Sequence, residues 1–161
     1  MNIIYCHHAQ RNRGTIPSQD DDITALGEQD AKLFAEMLKN EDDVKVSKIY
    51  TSPFFRCKKT AEIINTHINV PIIEDERLNE FHKPTKDETW TDVQTRIRDI
   101  LQEIVNTHDE NDSVICVTSG TILACFASVA FKLDPSHETP FLAPPSCSPV
   151  LFRITKDNFN K

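Results

Sequence analysis

The sequence predicts an α/β domain of three layers, α/β/α, with helices on both faces of a mostly parallel central sheet. Two observations predict it. Short apolar, β-prone runs alternate along the chain with longer stretches whose apolar residues recur at helical spacing. They follow one another without a repeat, a low-complexity tract or a long linker, so the 161 residues read as a single domain, 1–161.

The elements come in order. Residues 2–6 (NIIYC) are a short apolar strand, and residues 27–40 place Ala31, Leu33, Phe34, Met37 and Leu38 at helical spacing. Residues 44–50 alternate like a strand. Ser52-Pro53 then reads as an N-cap followed by proline at the first helical position, opening a helix to about Thr66. Residues 70–73 are a short strand. Residues 89–107 carry Val93, Ile97, Ile100, Leu101 and Ile104 on one helical face. Residues 113–117 are a buried strand, 121–131 a buried helix and 149–154 a last strand. Residues 113–131 are 19 in a row without a charge, close to membrane-span length, but Thr118-Ser119-Gly120-Thr121 in the middle favours strand, turn and helix.

Composition removes several function classes. Lys+Arg 18 against Asp+Glu 25 gives a net charge of −7, which argues against broad binding to nucleic acid or to an anionic membrane, though not against a local anion pocket. The only glycines, Gly14, Gly27 and Gly120, cannot compose a glycine-rich nucleotide loop. Cys6, Cys57, Cys116, Cys125 and Cys147 contain no CxxC pair, so reduced thiols in a cytoplasmic protein are expected. No HExxH stands among the histidines, and neither a metal nor a cofactor is expected. The first residues are too short an apolar run for a signal peptide. The acidic clusters 20–22, 41–43 and 74–76 read as solvated turns without a role.

In open α/β sheets, function gathers where strands run into helix N-termini. Three such ends carry unusual polar residues: 6–9, 50–56 and 117–121. His7 and His8 follow the first strand; two loop histidines would explain them, and so would a ring projecting into the cleft as a neutral nucleophile. Arg56 lies one turn into its helix. It is either a surface arginine or a bidentate fork beside free backbone N–H groups, suited to phosphate. Glu80, between apolar neighbours, is either a solvated loop carboxylate or a general acid.

The order of these segments resembles the histidine phosphatase (phosphoglycerate-mutase-like) superfamily over nearly the whole chain. The family's first strand ends in Arg-His-Gly or Arg-His-Ala; here Cys6-His7-His8-Ala9 fits that register. Its Leu-Thr-x-x-Gly-x-x-Gln-Ala segment appears as residues 23–31, with Gly27. Ser52-Pro53-Phe54-Phe55-Arg56-Cys57-Lys58-Lys59-Thr60-Ala61 and Arg77-Leu78-Asn79-Glu80 are intact, and Glu88-Thr89-Trp90-Thr91-Asp92-Val93 resembles the family's Glu-Ser-Trp-x-Asp-Val.

The resemblance implies a phosphoglycerate mutase-like fold and two-step phosphoryl transfer. His8 would attack phosphorus, Arg56 would bind the equatorial oxygens and Glu80 would protonate the leaving oxygen. Water would then hydrolyse phospho-His8, with no metal needed. His7, Ser119 and Gly120 would complete the phosphate site with Arg56.

Two departures mark a divergent member. His7 stands where the family has arginine, and Ser119 where it has a second catalytic histidine. One preorganised donor is typically worth about 10²–10³ in rate. His7 would restore charge only if protonated; Arg11, Arg13 and His82 are candidate substitutes. The family's Gly-x-Trp-x-Gly after the acid is missing, so a true phosphoglycerate mutase is not expected. The leading expectation is a phosphatase acting on a small phosphomonoester. The rivals are a phosphate-binding pseudoenzyme and a phosphohistidine or phosphoprotein phosphatase. Substrate and oligomeric state are not legible.

Overall fold

The computed structural model describes residues 1–12, 21–41, 44–81, 88–132 and 144–156. Five strands and four helices alternate: β1 (Asn2–His7), α1 (Ala25–Lys39), β2 (Val46–Thr51), α2 (Phe55–Ile68), β3 (Ile72–Glu74), a 3-10 turn (Glu76–Leu78), α3 (Trp90–Thr107), β4 (Ser113–Thr118), α4 (Ile122–Ala130) and β5 (Pro149–Arg153). The sheet order is β3-β2-β4-β1-β5. The first four strands run parallel and β5 joins β1 antiparallel at the edge.

Strand alternation divides the interior. Ile3 and Tyr5 of β1 with Val114 and Cys116 of β4 face α3 and α4, packing on Val93, Ile97, Leu101, Ile122 and Phe126. Ile4 and Cys6 with Ile115 and Val117 face α1 and α2, packing on Phe34, Leu38, Cys57 and Ile64. Successive side chains point to opposite faces, so a fully apolar strand needs a helical layer on each side. The three expected layers follow.

Local starts and stops differ from expectation in several places. α2 begins at Phe55 with Phe54 as its N-cap, not at Ser52-Pro53. The Ser52 hydroxyl is committed elsewhere: it donates to Asn79 Oδ1 at 2.7 Å while accepting from the Phe54 amide at 3.3 Å. β3 begins at Ile72 because the Asn65 side chain clamps both backbone groups of Val70, closing the end of α2. On α1, Leu33 and Met37 are each 58% exposed, and the buried face is Gly27, Ala31, Phe34, Ala35 and Leu38. The uncharged stretch is β4 plus α4, and among the described residues no helix is long and apolar enough to cross a membrane.

The acidic clusters are more than solvated turns where they are described. Asp21 pairs with Arg11 and Asp22 with Lys59. Asp75 caps the 3-10 turn, accepting from the Arg77 amide, and pairs with the Arg77 guanidinium. Asp20, Asp42 and Asp43 lie outside the described residues. All five cysteines are free thiols, and all are buried.

Candidate active site

The C-terminal ends of β1 and β4 and the segment after the 3-10 turn open onto one cavity of about 470 Å³. His7, His8 and Glu80 line it, with Gly120 and Thr121 at the start of α4. Arg56 lies deeper: it is 1% exposed, among the largest fully buried side chains.

His8 is held in one orientation. Its Nδ1 lies 2.8 Å from the Ala9 carbonyl, which can only accept, so Nδ1 carries the proton and Nε2 keeps its lone pair. Arg56 Nε donates to that Nε2 at 3.1 Å. Arg56 Nη2 donates to Glu80 Oε2 at 2.6 Å. The guanidinium also sits 4.8 Å over the Phe54 ring. One arginine therefore touches both other members of the predicted trio. Burial first, then the neighbouring His7, pushes the His8 imidazole down to about 3, so at neutral pH the ring is an uncharged base.

The support beneath His8 is built from chain-distant pieces. The Ala9 amide donates to Thr60 Oγ1 at 2.9 Å, and that hydroxyl donates to the Arg56 carbonyl at 2.6 Å. α1 presses on the same segment: a Cβ at Gly27 would stand 2.6 Å from the Gln10 carbonyl oxygen and 3.2 Å from Ala9 Cβ. Glycine is needed there for close backbone approach. Glu80 is positioned by its neighbours. Asn79 is tied to Ser52, the Leu78 carbonyl accepts from Thr118 Oγ1 at 2.5 Å, and the Arg77 carbonyl accepts from Arg96. Arg96 in turn pairs with Glu88.

The other wall is different. His7 Nδ1 lies 2.8 Å from the Pro144 carbonyl, and its ring meets that of His8 at 4.6 Å, edge to face. Burial lowers its proton affinity below the usual histidine value, so it is not a resident cation. Ser119 is 2% exposed, and its hydroxyl lies 3.1 Å from Thr121 Oγ1. The Tyr5 hydroxyl, buried beneath, donates to the Ser119 carbonyl at 2.8 Å. The first turn of α4 opens on the cavity with no side-chain cap on Thr121. The Ile122 and Leu123 amides of that turn donate to the Ser119 and Gly120 carbonyls, each at 3.2 Å, so they are not free for an anion.

His7, His8, Glu80 and Gly120 thus border one space, with Arg56 beneath it; Ser119 stands behind Thr121. Arg11 borders the cavity too, paired with Asp21 at 2.7 Å. Arg13 and His82 lie outside the described residues. Gln10, Asn12, Thr24 and Ser146 complete the rim beside Thr121, which closes the strand end 117–121 marked from the sequence; sequence reasoning gave Thr60 no role. Thr60 had a signal, its place four residues after Arg56, where a helical side chain reaches back over the preceding turn. Among the described residues, no group of three His, Cys, Asp or Glu side chains forms a metal cage.

Comparison with known proteins gives this site its context. The profile of the histidine phosphatase superfamily (branch 1) matches residues 7–85 and 81–160. A putative phosphoserine phosphatase 2 of Hydrogenobacter thermophilus is 29% identical over 137 residues, 65% of this chain and 64% of that protein. An uncharacterized phosphatase PhoE of Bacillus subtilis is 39% identical over 61 residues, 38% of this chain and 30% of that one. The match therefore spans less than two thirds of either relative. Among solved structures, YhfR of Bacillus stearothermophilus superposes with a TM-score of 0.78 at 24% identity, covering 93% of this chain and 89% of that one. The protein histidine phosphatase SixA complexed with tungstate superposes with a TM-score of 0.74 at 18% identity, covering 98% and 91%. At such identities these likenesses establish the fold.

Proposed function

We propose, from the premise that the chain belongs to the histidine phosphatase superfamily, that it hydrolyses a small phosphomonoester through a phosphohistidine at His8. The observation that carries this reading is the continuous contact His8–Arg56–Glu80, at 3.1 and 2.6 Å, on the floor and side of the cavity.

The geometry suits the chemistry step by step. With Nδ1 donated to the Ala9 carbonyl, the His8 Nε2 lone pair is the nucleophile. An incoming phosphoryl group takes over the Arg56 donors now spent on Nε2 and on Glu80, placing positive charge on its equatorial oxygens. A substrate monoanion hands its proton to Glu80 as it displaces that carboxylate from Arg56; Nε2 then forms the bond to phosphorus as the bond to the leaving oxygen breaks, and Glu80 passes the proton to that oxygen. Water then attacks phospho-His8; Glu80 takes its proton, and His8 leaves neutral. Gly120 and Thr121, which line the cavity at the start of α4, face the phosphoryl oxygens from the other side, with Ser119 bonded to Thr121 and His7 beside them.

Hydrolysis of a generic aryl phosphate tests this, with His8→Ala expected to abolish it. A phosphohistidine peptide as second substrate tells a protein phosphatase from one for small esters. One observation favours a second reading, a phosphate-binding pseudoenzyme. Among the described residues, the two arginines at the cavity are already paired with carboxylates, and the wall opposite Arg56 offers neutral groups only. Phosphate that raises the Tm without any turnover at any pH would establish it.

A further inference from the structure

We propose that His7 takes up a proton as a phosphoryl dianion enters, so that the cation the family supplies as arginine arrives here with the ligand. This rests on the phosphoryl-binding reading above and goes beyond it by assigning a coupled proton and its place.

The charges around the cavity balance without a ligand. Arg56 is paired with Glu80 and Arg11 with Asp21, while both histidines are neutral at rest. A dianion entering this half-enclosed space leaves bulk water and, among the described residues that line it, meets no uncommitted charge, which is costly unless a proton accompanies it.

Among the described residues, three groups near the dianion can accept that proton. His8 cannot take it and still react, because its Nδ1 is already protonated and its Nε2 must supply the electron pair. Glu80 Oε2 is spent on the Arg56 guanidinium at 2.6 Å. His7 remains. Its Nδ1 already donates to the Pro144 carbonyl, so the added proton goes to Nε2, forming an imidazolium. Around the ring stand His8 just after β1, Arg56 on α2, Glu80 after the 3-10 turn, and the carbonyls of Pro144 and Pro145 before β5. Glu80 and the two carbonyls favour the imidazolium; burial and Arg56 oppose it. The dianion adds two negative charges to the favourable side.

Tungstate is the probe, because it stays a dianion from pH 6 to 9. Its binding is measured by calorimetry in buffers of different ionisation enthalpy, near pH 7 to 8. The expected result is an uptake of about one proton per site, with affinity falling about tenfold per pH unit above neutrality. In His7→Gln the uptake disappears and the weaker affinity no longer varies with pH. In His7→Arg the affinity is pH-independent and stays at least as tight as the wild type at pH 6. Binding without proton uptake by the wild-type chain overturns the inference and leaves the phosphoryl site standing. Uptake that survives in His7→Gln also overturns it and moves the proton to Glu80. No tungstate binding at any pH overturns both the inference and the phosphoryl-binding reading.

Discussion

The cavity has two walls of unlike construction. On one, His8, Arg56 and Glu80 are locked by hydrogen bonds that cross the fold: Thr60 under Ala9, Asn79 to Ser52, Leu78 to Thr118. On the other, His7 hangs from the Pro144 carbonyl and Ser119 turns to its neighbour Thr121. The first wall keeps every residue of the family motifs; the second is where both departures fall. His8, Arg56 and Glu80 are thus held in contact through one wall alone. On the proposed mechanism the second wall has to supply charge to the phosphoryl group, as a proton on His7 where the family has arginine.

That contrast can be broken from the first wall. Arg56→Ala should lower aryl phosphate turnover by about 10²–10³. It should also lower stability by roughly 1–3 kcal/mol, because Glu80, partly exposed on the cavity wall, loses its hydrogen-bonded partner. Steady-state rates and urea melts read the two effects, and a variant with near-normal turnover would show that the first wall does not carry the chemistry. From the second wall the expected change is a gain. Ser119→His should raise turnover by about 10²-fold if the geometry around the missing donor survives. An unchanged rate would mean that the second wall has been rebuilt for another purpose.

The smaller effects concern rigidity and pH. Thr60→Val leaves the Ala9 amide without an acceptor in a buried place, at a cost of about 1–3 kcal/mol in urea denaturation. No loss would mean that the support under His8 is dispensable. The two histidines also set an acid limit. Both hold protons less readily folded than their ordinary value of 6.5, His8 down to about 3. Between those values the unfolded chain binds more protons, so stability falls as pH falls through that window. His8→Asn should flatten the dependence of the urea midpoint between pH 6.5 and 4, and an equally steep profile would place the acid sensitivity elsewhere.

Much of this was legible in the residues. The alternation of strands and helices gave the layers, because strands buried on both faces must be apolar throughout and helices must show period. His8, Arg56 and Glu80 could be named because each stands in a short contiguous motif at a strand end. The start of α2 could not. Ser52-Pro53 satisfies every local rule for a helix start, and its displacement depends on Asn79, 27 residues away. Leu33 and Met37 misled for a similar reason. Their spacing suits a broad apolar stripe, whereas α1 packs a narrow one containing Ala31 and Ala35. A charge on His7 was raised from the sequence as a condition, but the neutrality of the resting ring was beyond reach, since it depends first on how deeply the ring is buried.

The buried thiols give the molecule a reporter of its own opening. Cys6 adjoins His7 and Cys57 adjoins Arg56; both are fully enclosed, and burial raises the Cys57 thiol to about 12. A thiol-directed reagent meets neither while the sheet is closed, because it needs both access and a thiolate. The rate of labelling at these positions therefore counts excursions in which the floor beneath the reacting groups comes apart, and a ligand that seats firmly in the cavity should slow that clock.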